Sequence, residues 1–212
     1  MRKVGTVVDI NALIQRASAT PPGDDSGFRA RQAEILRTEH LRRADPEILR
    51  KDIDAIRLDR LYETKHLTAV KHWWDRSDVP VLCLGGSKGT GKTVAGCWAI
   101  AEAGGHYVTA TELARMAMSF RREDEWNSVS RGRVLVLDDL ATELCTPAQM
   151  EPVLLQLVNR RLARDRRTII TTNQSVEQLK QRYPDDRLWS RLVRSWAYVK
   201  FDGPDMRAQR PR

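Results

Sequence analysis

Cysteine is scarce in this sequence: three residues in 212, Cys83, Cys97 and Cys145, widely spaced and forming no metal-ligand pattern. The scarcity excludes a disulfide framework and leaves Cys83 and Cys97, both in apolar stretches, as expected reduced core residues. No apolar run approaches the roughly 20 residues of a membrane-spanning helix, and no secretory signal opens the chain. The expected setting is therefore cytoplasmic, with no membrane partner. No internal repeat is visible either. Acid is the sparser charge, 28 Asp and Glu against 36 Lys and Arg, which leaves a net charge of +8 and a pI near 9.7. Such an excess favours an anionic partner, nucleic acid first among them, although solvated basic faces also produce it. The length suits one α/β domain with a full core plus an accessory segment.

What the sequence does contain is a complete phosphate-loop pattern. Val81-Leu82-Cys83-Leu84 is a short apolar run, and from Gly86 the chain reads G-x-x-x-x-G-K-T: Gly86, Ser87, Lys88, Gly89, Thr90, Gly91, Lys92, Thr93. The glycines let the backbone turn with positive φ and bring N–H groups against phosphate oxygens. Lys92 is placed to reach the β- and γ-phosphates, and the Thr93 hydroxyl to ligate Mg²⁺ at the start of a helix whose dipole favours anions. The pattern predicts a nucleoside triphosphate site, with ATP and Mg²⁺ as the expected cofactors.

Two later strands complete such a site. Arg133 to Leu140 is an apolar run that ends in Asp138-Asp139, as a parallel strand covered on both faces reads. Asp138 is placed to hold Mg²⁺, and Asp139 to orient and deprotonate an attacking water. Thr168 to Thr172 is a third such strand. Asn173 at its end would lie beside the two acids if the strands are neighbours, within reach of a γ-phosphate or of the water.

Between these motifs, strand-like and helix-like stretches alternate, which implies a parallel sheet with helices on both faces. Expected helices are Lys92 to Ala103, a stretch from Thr111 sharing Leu113, Met116, Ala117 and Phe120 on one face, Pro147 to Arg164, Val176 to Arg182, and Asp186 to Arg194. Expected strands are Tyr107 to Ala110 and Trp196 to Phe201. Arg121 to Arg133 reads as a polar, charged connection. Upstream, Met1 to Ala19 has strand-like and helix-like parts, and Thr20 to Gly27 reads as a flexible linker. Helices are expected over Phe28 to Arg43, from Pro46 with a partial stripe of Ile48, Ile53, Ile56, Leu58 and Leu61, and over His66 to Asp75.

Taken together, GSKGTGKT, YVTATEL, VLVLDDLA, TIITTN, SRL and KFDGPDMR resemble, in order and spacing, the AAA+ ATPases of the DnaC/IstB group. That group includes replicative helicase loaders and the ATPase helpers of certain transposases. The resemblance covers His66 to Arg207. It implies an AAA+ P-loop NTPase fold over 66–212, an N-terminal partner-binding extension over 1–65, and no full lid domain. No Cys precedes Cys83, which departs from loaders that carry a cysteine-ligated zinc.

By the same resemblance, Asp138 and Asp139 are the metal and water-activating pair and Asn173 is the sensor of the γ-phosphate. Arg191 is the arginine finger that reaches a neighbouring subunit's ATP, with Arg187 and Arg194 as rivals, and Arg207 is a sensor-like arginine. A finger acting between subunits implies a homo-oligomer formed with ATP. The helix from Thr111 with the segment after it resembles the element that faces single-stranded DNA, through Arg115, Arg121 and Arg122. Trp126 is the tryptophan placed for base stacking, whereas Trp98 and Trp196 are expected to pack. A second cluster, Arg160, Arg161, Arg164, Arg166 and Arg167, closes a helix, where the dipole explains part of it. The expected function is a DNA-replication ATPase, a helicase loader that binds single-stranded DNA and a hexameric helicase. The alternative is a transposase helper that binds duplex DNA. A small-molecule P-loop kinase and a nucleotide-gated adaptor are rivals from other classes.

Overall fold

The computed structural model describes residues 25–44 and 65–205. The expected elements of 1–24 and 45–64, and Arg207, lie outside the described residues. The first described element is helix α1 (Asp25–Ala44). Asp25, Ser26 and Gly27, read as the end of a linker, belong to its first turn. From Arg37 onward the chain is one α/β unit, separate from a unit that ends at Leu36. Within the α/β unit, Leu41 is buried and His40 Nδ1 lies 2.9 Å from the carbonyl oxygen of Ala101.

The sheet has five parallel strands in the order β2-β3-β4-β1-β5: β1 (Val81–Gly86), β2 (His106–Thr109), β3 (Val134–Leu140), β4 (Arg167–Thr172) and β5 (Trp196–Phe201). The acidic strand β3 and the Asn-ended strand β4 are neighbours, and β4 in turn borders β1, whose end carries the phosphate loop. Side chains alternate across these strands as the pleat requires. Leu82, Leu84, Val134, Val136 and Ile169 face one layer, with Leu41 and Ala44 from the end of α1, α2 (Lys65–Arg76) and α3 (Lys92–Ala103). Val81, Leu135, Leu137 and Ile170 face the other, with α4 (Ala110–Ala117), α5 (Glu123–Arg131), α6 (Pro147–Leu162), α7 (Val176–Arg182) and α8 (Asp186–Ser195). Both faces are covered, which is why the strands read as unbroken apolar runs.

The segment 121–133 is not an open connection. It forms a 3₁₀ turn, Phe120–Arg122, and then α5. Trp126 and Val129, one turn apart, bury on the core side, while Glu123, Asp124 and Glu125 complement the dipole in the first turn. Trp126 is only 6% exposed and packs in the core, with the Arg160 guanidinium 5.9 Å from its ring centroid. It is a packing residue, and a base has no face of it to stack on. Trp196 packs edge-on against Trp189 and Trp98 against Trp74.

Helix starts follow capping chemistry. Thr146 and Gln149 form a capping box with Pro147 at the head of α6, and Ser175 and Gln178 form another for α7. Asp185 caps α8.

Candidate functional site

The loop between β1 and α3 turns at three glycines with positive φ: Gly86 at 137°, Gly89 at 74° and Gly91 at 90°. At Gly86 the requirement is steric as well. A Cβ there would lie 2.1 Å from the Phe201 carbonyl oxygen, so β5 packs directly against the loop's first residue. Thr90 Oγ1 donates to Ser87 O at 2.9 Å and closes the loop from within. Ser87 and Lys88 are exposed, at the open side.

Lys92 begins α3 and is only 7% exposed, yet its ammonium is fully satisfied. It donates to Gly86 O at 2.8 Å, Ser87 O at 2.7 Å and Asn173 Oδ1 at 3.0 Å. A buried ammonium needs such acceptors. Those three oxygens hold it across the mouth of the loop, at the carboxyl ends of β1 and β4.

Thr93, the next residue, donates from Oγ1 to Asp138 Oδ1 at 2.9 Å. Asp138 is 4% exposed and collects two further hydroxyls: Thr171 at Oδ1, 2.6 Å, and Tyr107 at Oδ2, 2.5 Å. Burial, and then the neighbouring Asp138 carboxylate, push the Tyr107 phenol above its ordinary range, so it stays a neutral donor. Tyr107 and Thr171 were not singled out from the sequence. Their signal is a polar group in an otherwise apolar buried strand, and only the strand order shows that both point at one carboxylate.

Asp139 follows on a different path. Register between β3 and β4 shifts between Leu137 and Leu140, and Asp139 takes φ 54°. The bulge sends Asp138 inward and leaves Asp139 exposed, while its backbone N–H donates to Thr171 Oγ1 at 3.0 Å. Aspartate tolerates this left-handed conformation better than most residues. The loop beyond is tied down by Glu143, whose side chain is fully buried. Its carboxylate accepts from Ala141 N at 2.9 Å, Tyr183 OH at 2.6 Å, and Arg182 at 2.8 Å from Nη2 and 3.1 Å from Nε. Hydrogen bonding to Glu143 raises the Arg182 pKa.

The structure thus brings together Lys92, Thr93, Asp138, Asp139 and Asn173. It does not bring Arg191 to them. Arg187, Arg191 and Arg194 stand exposed along one side of α8, while Leu188, Trp189 and Leu192 anchor the other. Arg191 Nη1 donates to Arg187 O at 2.8 Å, and Arg187 is spent on its own cap, with Nη2 2.6 Å and Nε 3.0 Å from the Asp185 carboxylate. Cys83, under the loop, is fully buried, and desolvation pushes its thiol up to about 12, which removes it as a nucleophile.

The arginines of α4 and of the 3₁₀ turn after it differ among themselves. Arg122 is held by Glu112 and Glu125, both at 2.5 Å, and Arg115 lies 3.6 Å from Glu112. Arg121 is exposed.

The donor set also bears on a metal. Thr93 Oγ1 and Asp138 Oδ1 are hard oxygens, of the kind and number that Mg²⁺ takes from a protein when phosphates and water supply the rest. Among the described residues no three His, Cys, Asp or Glu side chains converge on a metal position. The residues fit a cation that arrives with a triphosphate.

No protein-family model matches the sequence, and no curated protein matches it. Solved structures do. The chain is similar to a DNA replication initiation factor at 20% identity and a TM-score of 0.57, over 68% of this chain and 49% of that one. It is similar to the DnaC helicase loader at 19% identity and a TM-score of 0.54, over 68% and 96%. It is also similar to the replication initiator DnaA bound to AMPPCP and single-stranded DNA, at 20% identity and a TM-score of 0.53, over 68% and 48%. The chain spans about half the length of the first and third of these. At such identities the likeness shows the fold, which is that of an AAA+ P-loop NTPase.

Proposed function

We propose that this chain is an ATP-dependent DNA-replication ATPase that acts as a helicase loader and binds single-stranded DNA. One observation carries the nucleotide chemistry. Lys92 and Thr93, adjacent at the phosphate loop, are hydrogen-bonded to Asn173 after β4 and to Asp138 of β3, which brings three strand ends together there. An ATP γ-phosphate offers Lys92 a charged acceptor in place of the carbonyl and amide oxygens it now holds, and charge-assisted bonds are the stronger. Asn173, released from Lys92, can then donate from its amide to the γ-phosphate or the attacking water. Asp139, exposed one residue beyond Asp138, takes the water's proton. Mg²⁺, when bound with ATP through Thr93 and Asp138, supplies charge neutralisation on the phosphates.

The replication role is supported by the similar structures, which include a helicase loader and an initiator bound to an ATP analogue and single-stranded DNA. Arg191, projecting from α8 with no bond to this chain's own site, suits a finger that completes a neighbour's site. ATP would then drive assembly, and assembly would drive hydrolysis.

The test is fluorescence anisotropy with labelled single-stranded and duplex DNA, with and without ATP, alongside capture of a purified hexameric replicative helicase. ATP-promoted binding of single strands and of the helicase supports the loader reading. A duplex preference with capture of a transposase instead moves the reading to a transposase helper, and absence of ATP binding overturns both.

A further inference from the structure

We propose that a second surface, built from Arg131, Arg133, Arg164 and Arg166 at the amino-terminal ends of β3 and β4, binds the phosphodiester backbone of nucleic acid. It lies at the opposite end of the sheet from the phosphate loop, on elements separate from α4.

The fold gathers these residues around one buried group. Arg161 is 1% exposed and has no carboxylate partner among the described residues. Its Nε donates to Thr168 Oγ1 at 2.7 Å, Nη1 to Val129 O at 2.9 Å and Gly132 O at 3.1 Å, and Nη2 to Arg167 O at 2.7 Å. Arg131 and Arg133 flank Gly132, and Arg164 and Arg166 flank the turn at Asp165, where Arg166 N donates to Arg161 O at 3.0 Å. Val134 pairs in register with Arg167, so the two arginine pairs enter adjacent strands side by side. Arg161 is therefore the clamp that sets this geometry, and its neighbours carry the surface.

The charge there is not compensated. Residues 160–167 hold five arginines and one acid, Asp165, and Arg131 and Arg133 add two more. None of the seven arginines makes an ion pair among the described residues. Arg131, Arg133 and Arg164 are exposed, and the Arg166 Nε is buried with no hydrogen-bond partner. Among the described residues Arg160 has neutral partners only: Asn127 Oδ1 at 2.9 Å, Ser130 Oγ at 3.4 Å and the Trp126 ring. The contrast with the 3₁₀ turn after α4 is direct, since Arg122 there is neutralised by Glu112 and Glu125. The positive field is also felt by its neighbours. Desolvation and then Arg166 lower the Arg161 pKa to about 9, and desolvation and then Arg161 lower that of His106.

The helix dipole of α6 accounts for cations near its own last turn, and that of α5 for Arg131 in its last turn, but neither accounts for Arg133, which lies beyond α5 and immediately precedes β3. Uncompensated guanidinium groups call for an anion. A protein interface of useful affinity has an apolar centre. The exposed large apolar side chains among the described residues are Leu36, Met118, Leu144 and Val193, and none lies in this surface. Phosphodiester binding needs no such centre, because counterion release drives it and arginine matches phosphate geometry.

The experiment uses the full chain carrying Arg131→Gln, Arg133→Gln and Arg164→Gln together, which leaves Arg161 and its four bonds intact. Labelled single-stranded and duplex oligonucleotides are titrated at several salt concentrations without ATP. Affinity should fall at least about tenfold at low salt, and the slope of log affinity against log salt should flatten by about 2 to 3, one phosphate per arginine. The matching triple Lys variant should keep most of the affinity, which separates charge from packing. ATP binding and the melting temperature should be unchanged. The two oligonucleotides differ only in which source of backbone phosphate is preferred. An unchanged slope overturns the proposal, and so does equal competition by poly-glutamate at matched charge, which would mark a general face for acidic protein. An Arg121→Gln arm, read with ATP, reports separately on the surface of α4 and the 3₁₀ turn after it, so failure of one reading does not hide failure of the other.

Discussion

Lys92 and Asn173, 81 positions apart in the chain, are joined by a 3.0 Å hydrogen bond from the ammonium to the amide oxygen. Parallel neighbours β1 and β4 end level with each other, so the residue after one strand meets the loop after the other. The bond makes Asn173 a placeholder for phosphate. Whatever binds Lys92 more strongly frees the amide to reorient.

The first prediction separates binding from chemistry. Lys92→Ala removes the buried cation of the loop and should abolish ATP binding or weaken it severely. Asp139→Asn keeps shape and, because asparagine also tolerates positive φ, keeps the bulge at 54°. It should retain ATP and slow hydrolysis by on the order of 10²- to 10⁴-fold, the usual contribution of a general base. Nucleotide titration with single-turnover hydrolysis measures both. Equal loss of affinity in the two variants would contradict the separate roles.

A second prediction concerns Glu143, which spacing gave no reason to single out. Its buried carboxylate joins the loop carrying Asp139 to Arg182 and Tyr183 at the end of α7. Glu143→Ala should destabilise the protein by about 2 kcal/mol, below the 3–5 of a fully buried broken pair, because Arg182 is 31% exposed and water can take up its charge. Glu143→Gln keeps the acceptor for Ala141 N and should recover most of that loss. Thermal melts rank the stabilities. In both variants turnover should fall more than ATP affinity, since the loop that positions Asp139 loosens while Lys92 is untouched. The opposite pattern would make Glu143 a purely structural group.

Much of this site was legible because its physics is local. A glycine-rich turn ahead of a helix, and an apolar run ending in acids, each impose residue types within a few positions, so Lys92, Thr93 and Asp138 stood out. Helix boundaries set by caps were legible for the same reason, as at Ser175 and Val176. What escaped notice depends on strand order. Tyr107 and Thr171 become ligands of one carboxylate only when β2, β3 and β4 lie side by side. Trp126 misled in the other direction: its neighbours are charged, but a helix with Val129 one turn on buries it.

Arg115 of α4, with Arg121 and Arg122 of the 3₁₀ turn after it, gives a third prediction, sharpened by ion pairs. Arg122 is committed to Glu112 and Glu125, and Arg115 leans toward Glu112, whereas Arg121 is exposed. If α4 and this turn face single-stranded DNA in an ATP-driven assembly, Arg121→Ala should weaken ATP-promoted binding more than Arg122→Ala. Each lost phosphate contact should reduce the salt slope by about 0.7. Anisotropy titrations over a salt series resolve a difference of that size. Equal and negligible effects would assign the helix to a solvated face.

The last prediction concerns assembly. Arg187 is held at the N-cap of α8 by Asp185, and Arg194 stands near the helix end, while Arg191 is tethered only to a backbone carbonyl one turn back. Releasing Arg191 costs a single exposed hydrogen bond; releasing Arg187 breaks its bonds to a capping carboxylate and weakens the cap. Arg191 is therefore the group best free to reach across to a neighbouring subunit. Arg191→Ala should leave ATP affinity nearly intact and reduce turnover by on the order of 10³-fold, the lower range for an arginine finger. Mixing it with the Asp139→Asn variant should restore part of the activity, because some interfaces then pair an intact Asp139 with an intact Arg191. Turnover should also rise with protein concentration. Hydrolysis independent of concentration, with no gain on mixing, would remove Arg191 from catalysis, and the same mixing with Arg194→Ala would show whether its neighbour on that face takes the role.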